Sequence, residues 1–213
     1  MLIHKLIYCK GLQFIVLFNC QCIKEGIKVM AIKRVLHYGE ESLRKPSKEV
    51  HKVSKKISDL IRDLFDTMYA QNGVGLAAPQ IGVNLRVFVV DASTKENPMD
   101  PMVFINPKII KKSGAVKSTE GCLSFPEAYS DVVRYKDIMV KATNEHGKTF
   151  VMEAKDGTLL ARCIQHENDH LDGILFIDHC LNRFETEEIL KKNNLPSIDT
   201  DRLLDEEDLK SQL

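Results

Sequence analysis

The chain has 213 residues, 44% hydrophobic and 28% charged. That is enough to bury the core of one domain, and it excludes disorder, collagen-like repeats and a whole-chain coiled coil. Its 30 basic and 30 acidic side chains cancel, so no direct nucleic-acid binding is expected, and no apolar run reaches the ~18 to 20 residues that cross a bilayer.

Residues 1–29 read as an extension outside the fold. They are either untranslated, with Met30 as the start, or a weak targeting segment. Leu12 to Phe18 is too short for a signal peptide, and Phe18-Asn19-Cys20-Gln21-Cys22 offers no small-residue cleavage site. From Val50 to Met68 the apolar residues Ile57, Leu60, Ile61, Leu64 and Met68 fall on one helical face, with Ser54 as N-cap and Asn72-Gly73 as the stop. The glycine loop Gly73 to Gln80 follows. Strands are expected at Arg86–Val90, Met102–Ile105, Lys108–Val116, Val132–Thr143 and Lys148–Ala154, the last two joined by a turn at 144–147. A second helix begins after Asp156-Gly157, carries Leu159, Leu160, Cys163 and Ile164 on its apolar side, and ends at Asp172-Gly173. Beyond Leu181 come a short helix, Glu185 to Lys192, and a solvated acidic tail. Residues 185–213 hold nine acids against four bases. Successive strands without intervening helices indicate an α+β fold with antiparallel sheet.

His166-Glu167-Asn168-Asp169-His170 is an H-E-x-x-H motif on the second helix. Residues i and i+4 share a helical face, so the two imidazoles can hold one metal ion while Glu167 reaches a water beside it. A catalytic metal of this kind takes three protein ligands and one open position. The long metzincin pattern would put a third histidine where Phe176 stands, so that route is closed, and His179 reads as a bland histidine. Cys122, in Glu120-Gly-Cys-Leu-Ser124, is the best remaining soft donor; a lone cysteine is otherwise a small buried hydrophobe. Cys163 and Cys180 fit that second description. The six cysteines, at 9, 20, 22, 122, 163 and 180, are too irregularly spaced for a disulfide framework; the three outside the first 22 residues read as free thiols of a reducing compartment, taken as the cytoplasm.

Gly73-Val74-Gly75-Leu76-Ala77-Ala78 formally fits G-x-G-x-x-A. It follows a helix rather than a strand, so a dinucleotide site is rejected. The better reading is a loop whose glycines let backbone approach a ligand, with the Gln80 amide able to face a developing oxyanion.

Three segments together resemble the peptide deformylase family, whose motifs have the form G-φ-G-φ-A-A-x-Q, E-G-C-φ-S and Q-H-E-x-D-H, φ being hydrophobic. The matching stretches are Gly73-Val-Gly-Leu-Ala-Ala-Pro-Gln80, Glu120-Gly-Cys-Leu-Ser124 and Gln165-His-Glu-Asn-Asp-His170, in family order. Val35 to Arg44 also looks like the family's opening segment, and the resemblance covers roughly residues 31–182. It implies a catalytic domain over 30–182, with antiparallel sheets packed around a central metal-binding helix, plus a C-terminal helix and acidic tail over 183–213. It implies removal of the formyl group from the N-terminal formylmethionine of nascent peptides. By the motif matches, Cys122, His166 and His170 are the metal ligands and a metal-activated water attacks the formyl carbonyl. Glu167 is the general acid/base, and Gln80 and the Leu123 backbone N–H are the oxyanion donors. Val74, Gly75, Leu159 and Cys163 would bind substrate. The implied ion is Fe²⁺, while the ligand types also suit Zn²⁺, Ni²⁺ or Co²⁺. Some members dock transiently on the ribosome through a basic C-terminal helix; the acidic tail argues against that contact here. Two alternatives compete: an H-E-x-x-H peptidase cutting internal bonds, and a metal-holding domain without catalysis.

Overall fold

The computed structural model describes residues 32–202. The expected extension over 1–29 and the last eleven residues of the acidic tail lie outside the described residues. Helix α1 spans Lys55–Ala70, and strands β1 (Gly75–Ala77), β2 (Val87–Val90), β3 (Met102–Cys122), β4 (Phe125–Thr143) and β5 (Thr149–Ala154) follow. Helices α2 (Leu159–Asp172) and α3 (Arg183–Lys192) complete the order. The strands form one antiparallel sheet in chain order, β1-β2-β3-β4-β5. This is the expected α+β architecture.

The sheet separates two layers of core, and β2 shows why. Its four residues are all buried, as a continuous apolar run covered on both faces should be. Val87 and Val89 pack with Ile57, Leu60, Ile61, Leu64 and Met68 of α1. Phe88 and Val90 point the other way and pack with Ala161, Cys163, Ile164 and Leu171 of α2. Phe88 stacks on Phe104 of β3 at 4.7 Å between ring centroids. Helix α2 is thus anchored by its apolar stripe on the inner face of the sheet. Thr158 caps its start by accepting a hydrogen bond from the Ala161 N–H. Gly173 ends it in the left-handed region, φ +73°, where a Cβ would lie 2.5 Å from the Arg44 carbonyl oxygen. Arg44 also donates to the Gly173 carbonyl and pairs with buried Asp178, at 3.3 and 2.5 Å.

Several details differ from expectation, and β4 begins at Phe125 rather than Val132. The strands expected at 102–105 and 108–116 are one strand, β3, whose pairing shifts register between Ile105 and Lys108 and again between Ile109 and Lys111. Asn106 sits at the first shift with φ +49° and exchanges two hydrogen bonds with the Val50 backbone, each 2.8 Å. The part of the glycine loop at 75–77 is strand β1. Ser54 occupies the α1 N-cap position, but its side chain makes no capping bond. The C-terminal segment also does more than float. Helix α3 inserts Leu190 into a third cluster with Tyr38, Phe125 and Phe176, and the Tyr38 hydroxyl donates to the Ser197 carbonyl at 2.9 Å. None of the helices among the described residues is long and apolar enough to cross a membrane.

Candidate metal centre

Cys122 is the last residue of β3, and a two-residue connection, Leu123-Ser124, leads into β4. The pairing slips between Gly121 and Cys122, an irregularity of the kind that re-aims a side chain. The Cys122 thiol is thereby turned toward α2, where His166 and His170 project from one face. One donor atom from each of the three residues lies within 4.8 Å of the other two. Cys122 Sγ is 3.3 Å from His170 Nε2. The sulfur also accepts from the Ser124 N–H and from Gln80 Nε2, both at 3.4 Å.

The histidines are held rather than free. His166 Nδ1 faces the Glu120 carboxylate at 2.9 Å. A carboxylate accepts, so Nδ1 carries the proton and Nε2 is left for the cluster. Phe176 stacks beside the same ring at 6.0 Å; the residue that closes the metzincin route instead walls the site. Burial and the neighbouring His166 hold His170 well below its ordinary pKa, in the neutral form that ligates metal.

Glu120 is one end of a buried charge network that the motif reading did not resolve. Arg134, 2% exposed, donates to both Glu120 oxygens at 2.9 and 2.8 Å and also pairs with Asp169. Asp169 in turn meets His179 Nε2 at 2.9 Å, so His179 supports the network and is no part of the metal cluster. Burial would push both carboxyls up. The Arg134 charge overcomes this, with the help of bonds to His166 and His179, and holds Asp169 at about 2 and Glu120 lower still. No clear sequence signal marks Arg134: β4 carries charged residues throughout, and Lys136, on the same parity as Arg134, is exposed.

The cluster opens on a cavity of about 670 Å³. Its lining includes Val74, Gly75, Gln80, Cys122, Leu123, Leu159, Cys163, His166 and Glu167, so all but one of the expected site residues border it; His170 lies behind, 1% exposed. Glu167 is 4% exposed. Its Oε2 is buried without a hydrogen-bond partner, and burial pushes its carboxyl up to about 7. Gly75 covers it so closely that a Cβ would lie 2.5 Å from Glu167 Oε1 and 2.7 Å from Cys163 Sγ. Gly75→Ala is therefore expected to displace Glu167 and lower turnover by about two orders of magnitude, with helix content by circular dichroism unchanged. The Gln80 side chain is fixed at both ends. Its Oε1 accepts from the Ala77 N–H at 2.8 Å, and its Nε2 reaches Ser124 Oγ at 3.2 Å as well as the Cys122 sulfur.

Comparison with known proteins gives one answer. The family model described as polypeptide deformylase matches residues 32–186. A peptide deformylase of Pseudoalteromonas translucida is 46% identical over 163 residues, 76% of this chain and 95% of the relative. Peptide deformylase 1 of Clostridium acetobutylicum is 48% identical over 149 residues, 70% of this chain and 95% of the relative. Among solved structures, a peptide deformylase from Legionella pneumophila matches with TM-score 0.71 and 42% identity, covering 77% of this chain and 94% of that one. The enzyme from Synechococcus elongatus, solved in complex with actinonin, matches with TM-score 0.73 and 37% identity, covering 83% and 92%. The chain belongs to the polypeptide deformylase family, enzymes that remove the N-formyl group from nascent peptides.

Proposed function

We propose that residues 30–182 form the catalytic domain and that Cys122, His166 and His170 hold the metal at its centre. The supporting observation is the convergence of one sulfur and two imidazole donors within 4.8 Å at the end of a cavity. That donor set suits a first-row divalent ion; Fe²⁺ is our assignment by family, with Zn²⁺, Ni²⁺ and Co²⁺ compatible by ligand type. A divalent ion bound there supplies a Lewis acid that polarises a carbonyl and lowers the pKa of water toward ~7.

The remaining chemistry belongs to the chain. Hydrolysis adds water across the formyl C–N bond and yields formate and a free amine. Glu167 takes the proton from the attacking water and returns it to the leaving nitrogen. Its lifted pKa suits both halves of that exchange, since a group near the working pH can accept and then give. Gln80 Nε2 and the Leu123 N–H, flanking Cys122, donate to the oxyanion. Such a donor is typically worth ~10²–10³ in rate. Gln80 is held through Oε1 by the Ala77 N–H, and its Nε2 turns to the oxyanion by exchanging one of its bonds to Ser124 Oγ or Cys122 Sγ. Val74, Leu159 and Cys163 receive the methionine side chain, and Gly75 keeps the peptide backbone close. The substrates are nascent formylmethionyl peptides, encountered in the cytoplasm. Any ribosome contact is transient and does not use the acidic tail, and the 1–29 extension takes no part in catalysis.

Cys122→Ala tests the assignment. Metal content should fall from about one ion per chain toward none, and formate release should fall with it. A variant that keeps both would remove Cys122 from the ligand set.

A further inference from the structure

The cavity face of α2 carries Leu159, Arg162, Cys163, His166 and Glu167, an i, i+3, i+4, i+7, i+8 stripe. Arg162 stands out in it. Its Nε donates to the Gly157 carbonyl at 3.2 Å, while its two terminal nitrogens meet no acceptor among the described residues. The other cations at the mouth are neutralised: Lys33 pairs with Asp63 at 3.2 Å and Arg34 with Glu40 at 2.5 Å. Of the lining carboxylates, Glu120 is committed to Arg134, and Glu167 is buried under Gly75. Glu127, on β4, is the exposed one. Arg162 is therefore a half-exposed cation that borders the cavity and has no ion-pair partner among the described residues.

We infer that Arg162 makes the mouth selective for formylmethionyl peptides whose second residue is acidic. The inference rests on the deformylase reading above. In that reading the formyl carbon lies at the Cys122–His166–His170 cluster and the methionine side chain between Val74, Leu159 and Cys163. The next Cα is about 3.8 Å further on. In the inferred pose the second side chain lies beside Arg162, which borders the same cavity next to Cys163 and three residues from Leu159. A guanidinium anchored through Nε presents its remaining N–H groups in a planar fork, the geometry that grips a carboxylate. A lysine at the same place meets an uncompensated like charge.

The test compares kcat/KM for three peptides that differ only at the second residue, formyl-Met-Asp, formyl-Met-Ala and formyl-Met-Lys, each extended by the same neutral residues. Turnover of the alanine peptide reports on the deformylase reading by itself. The aspartate-to-lysine ratio reports on Arg162. We expect a ratio of about five, the scale of an exposed ion pair, shrinking as salt is raised. Arg162→Gln should bring it to about one, Arg162→Glu should invert it, and Arg162→Lys should retain part of it. An unchanged ratio in Arg162→Gln, or an equal loss on all three peptides, would overturn the assignment.

Discussion

Alanine in place of Glu167 should leave the metal bound and lower kcat/KM for a formylmethionyl peptide by about 10²–10⁴. The prediction is strong because Glu167 has no structural work to lose. It is buried, its Oε2 has no partner, and burial rather than a salt bridge sets its pKa. Removing an uncompensated buried carboxyl costs the fold little and can stabilise it, since the desolvation penalty goes with the group. The expected pattern is a thermal midpoint equal to or above wild type, unchanged metal stoichiometry and collapsed turnover. Turnover near wild type would refute the acid/base role. A lowered midpoint with lost metal would move Glu167 into the scaffold.

The second large effect is expected at Arg134, which does not itself line the cavity but is bonded to Glu120, which does. Arg134→Leu strands Glu120 and Asp169 as buried carboxylates, and breaking a buried ionic cluster in this way typically costs ~3–5 kcal/mol. The damage should reach the metal as well, because Glu120 orients the His166 ring through Nδ1; loss of such support typically weakens metal binding about 10–100-fold. The pH signature follows from the direction of the shifts. Both carboxyls are held below the unfolded carboxylate value, near ~4. They bind fewer protons folded than unfolded, so their stabilisation is fully present above about pH 5. It is lost as pH falls toward 2, through the folded value of Asp169. Chemical denaturation across that range should show a steep acid loss in the wild type and a shallower one in Arg134→Leu.

Legibility in the sequence followed the range of the interactions. Helix α2 and its end could be read from an apolar stripe and a glycine stop, because both signals are local; the Thr158 cap emerged only in the structure. His166, Glu167 and His170 were placed on one element by spacing alone. Cys122 stood as the best remaining soft donor and became a ligand only through the motif resemblance, since its approach to α2 depends on a register slip at the end of a 21-residue strand. β1 was missed because three residues leave no alternation to see; what makes Gly75–Ala77 a strand is its pairing with Phe88–Val90. The Glu120–Arg134–Asp169–His179 network joins strand β3, strand β4, helix α2 and the segment after it. No local pattern encodes such a junction.

The central claim is that this cluster hydrolyses formyl groups with the help of a bound ion, and formate release tests it most directly. Protein loaded anaerobically with Fe²⁺ would be given a short N-formylmethionyl peptide, with and without prior chelation, beside the same peptide carrying an acetyl group. The account predicts stoichiometric formate and free methionyl amine from the formyl peptide, silenced by chelation and restored by adding Fe²⁺ back. Folded, iron-loaded protein that releases no formate, or that releases it equally well after chelation, would contradict it.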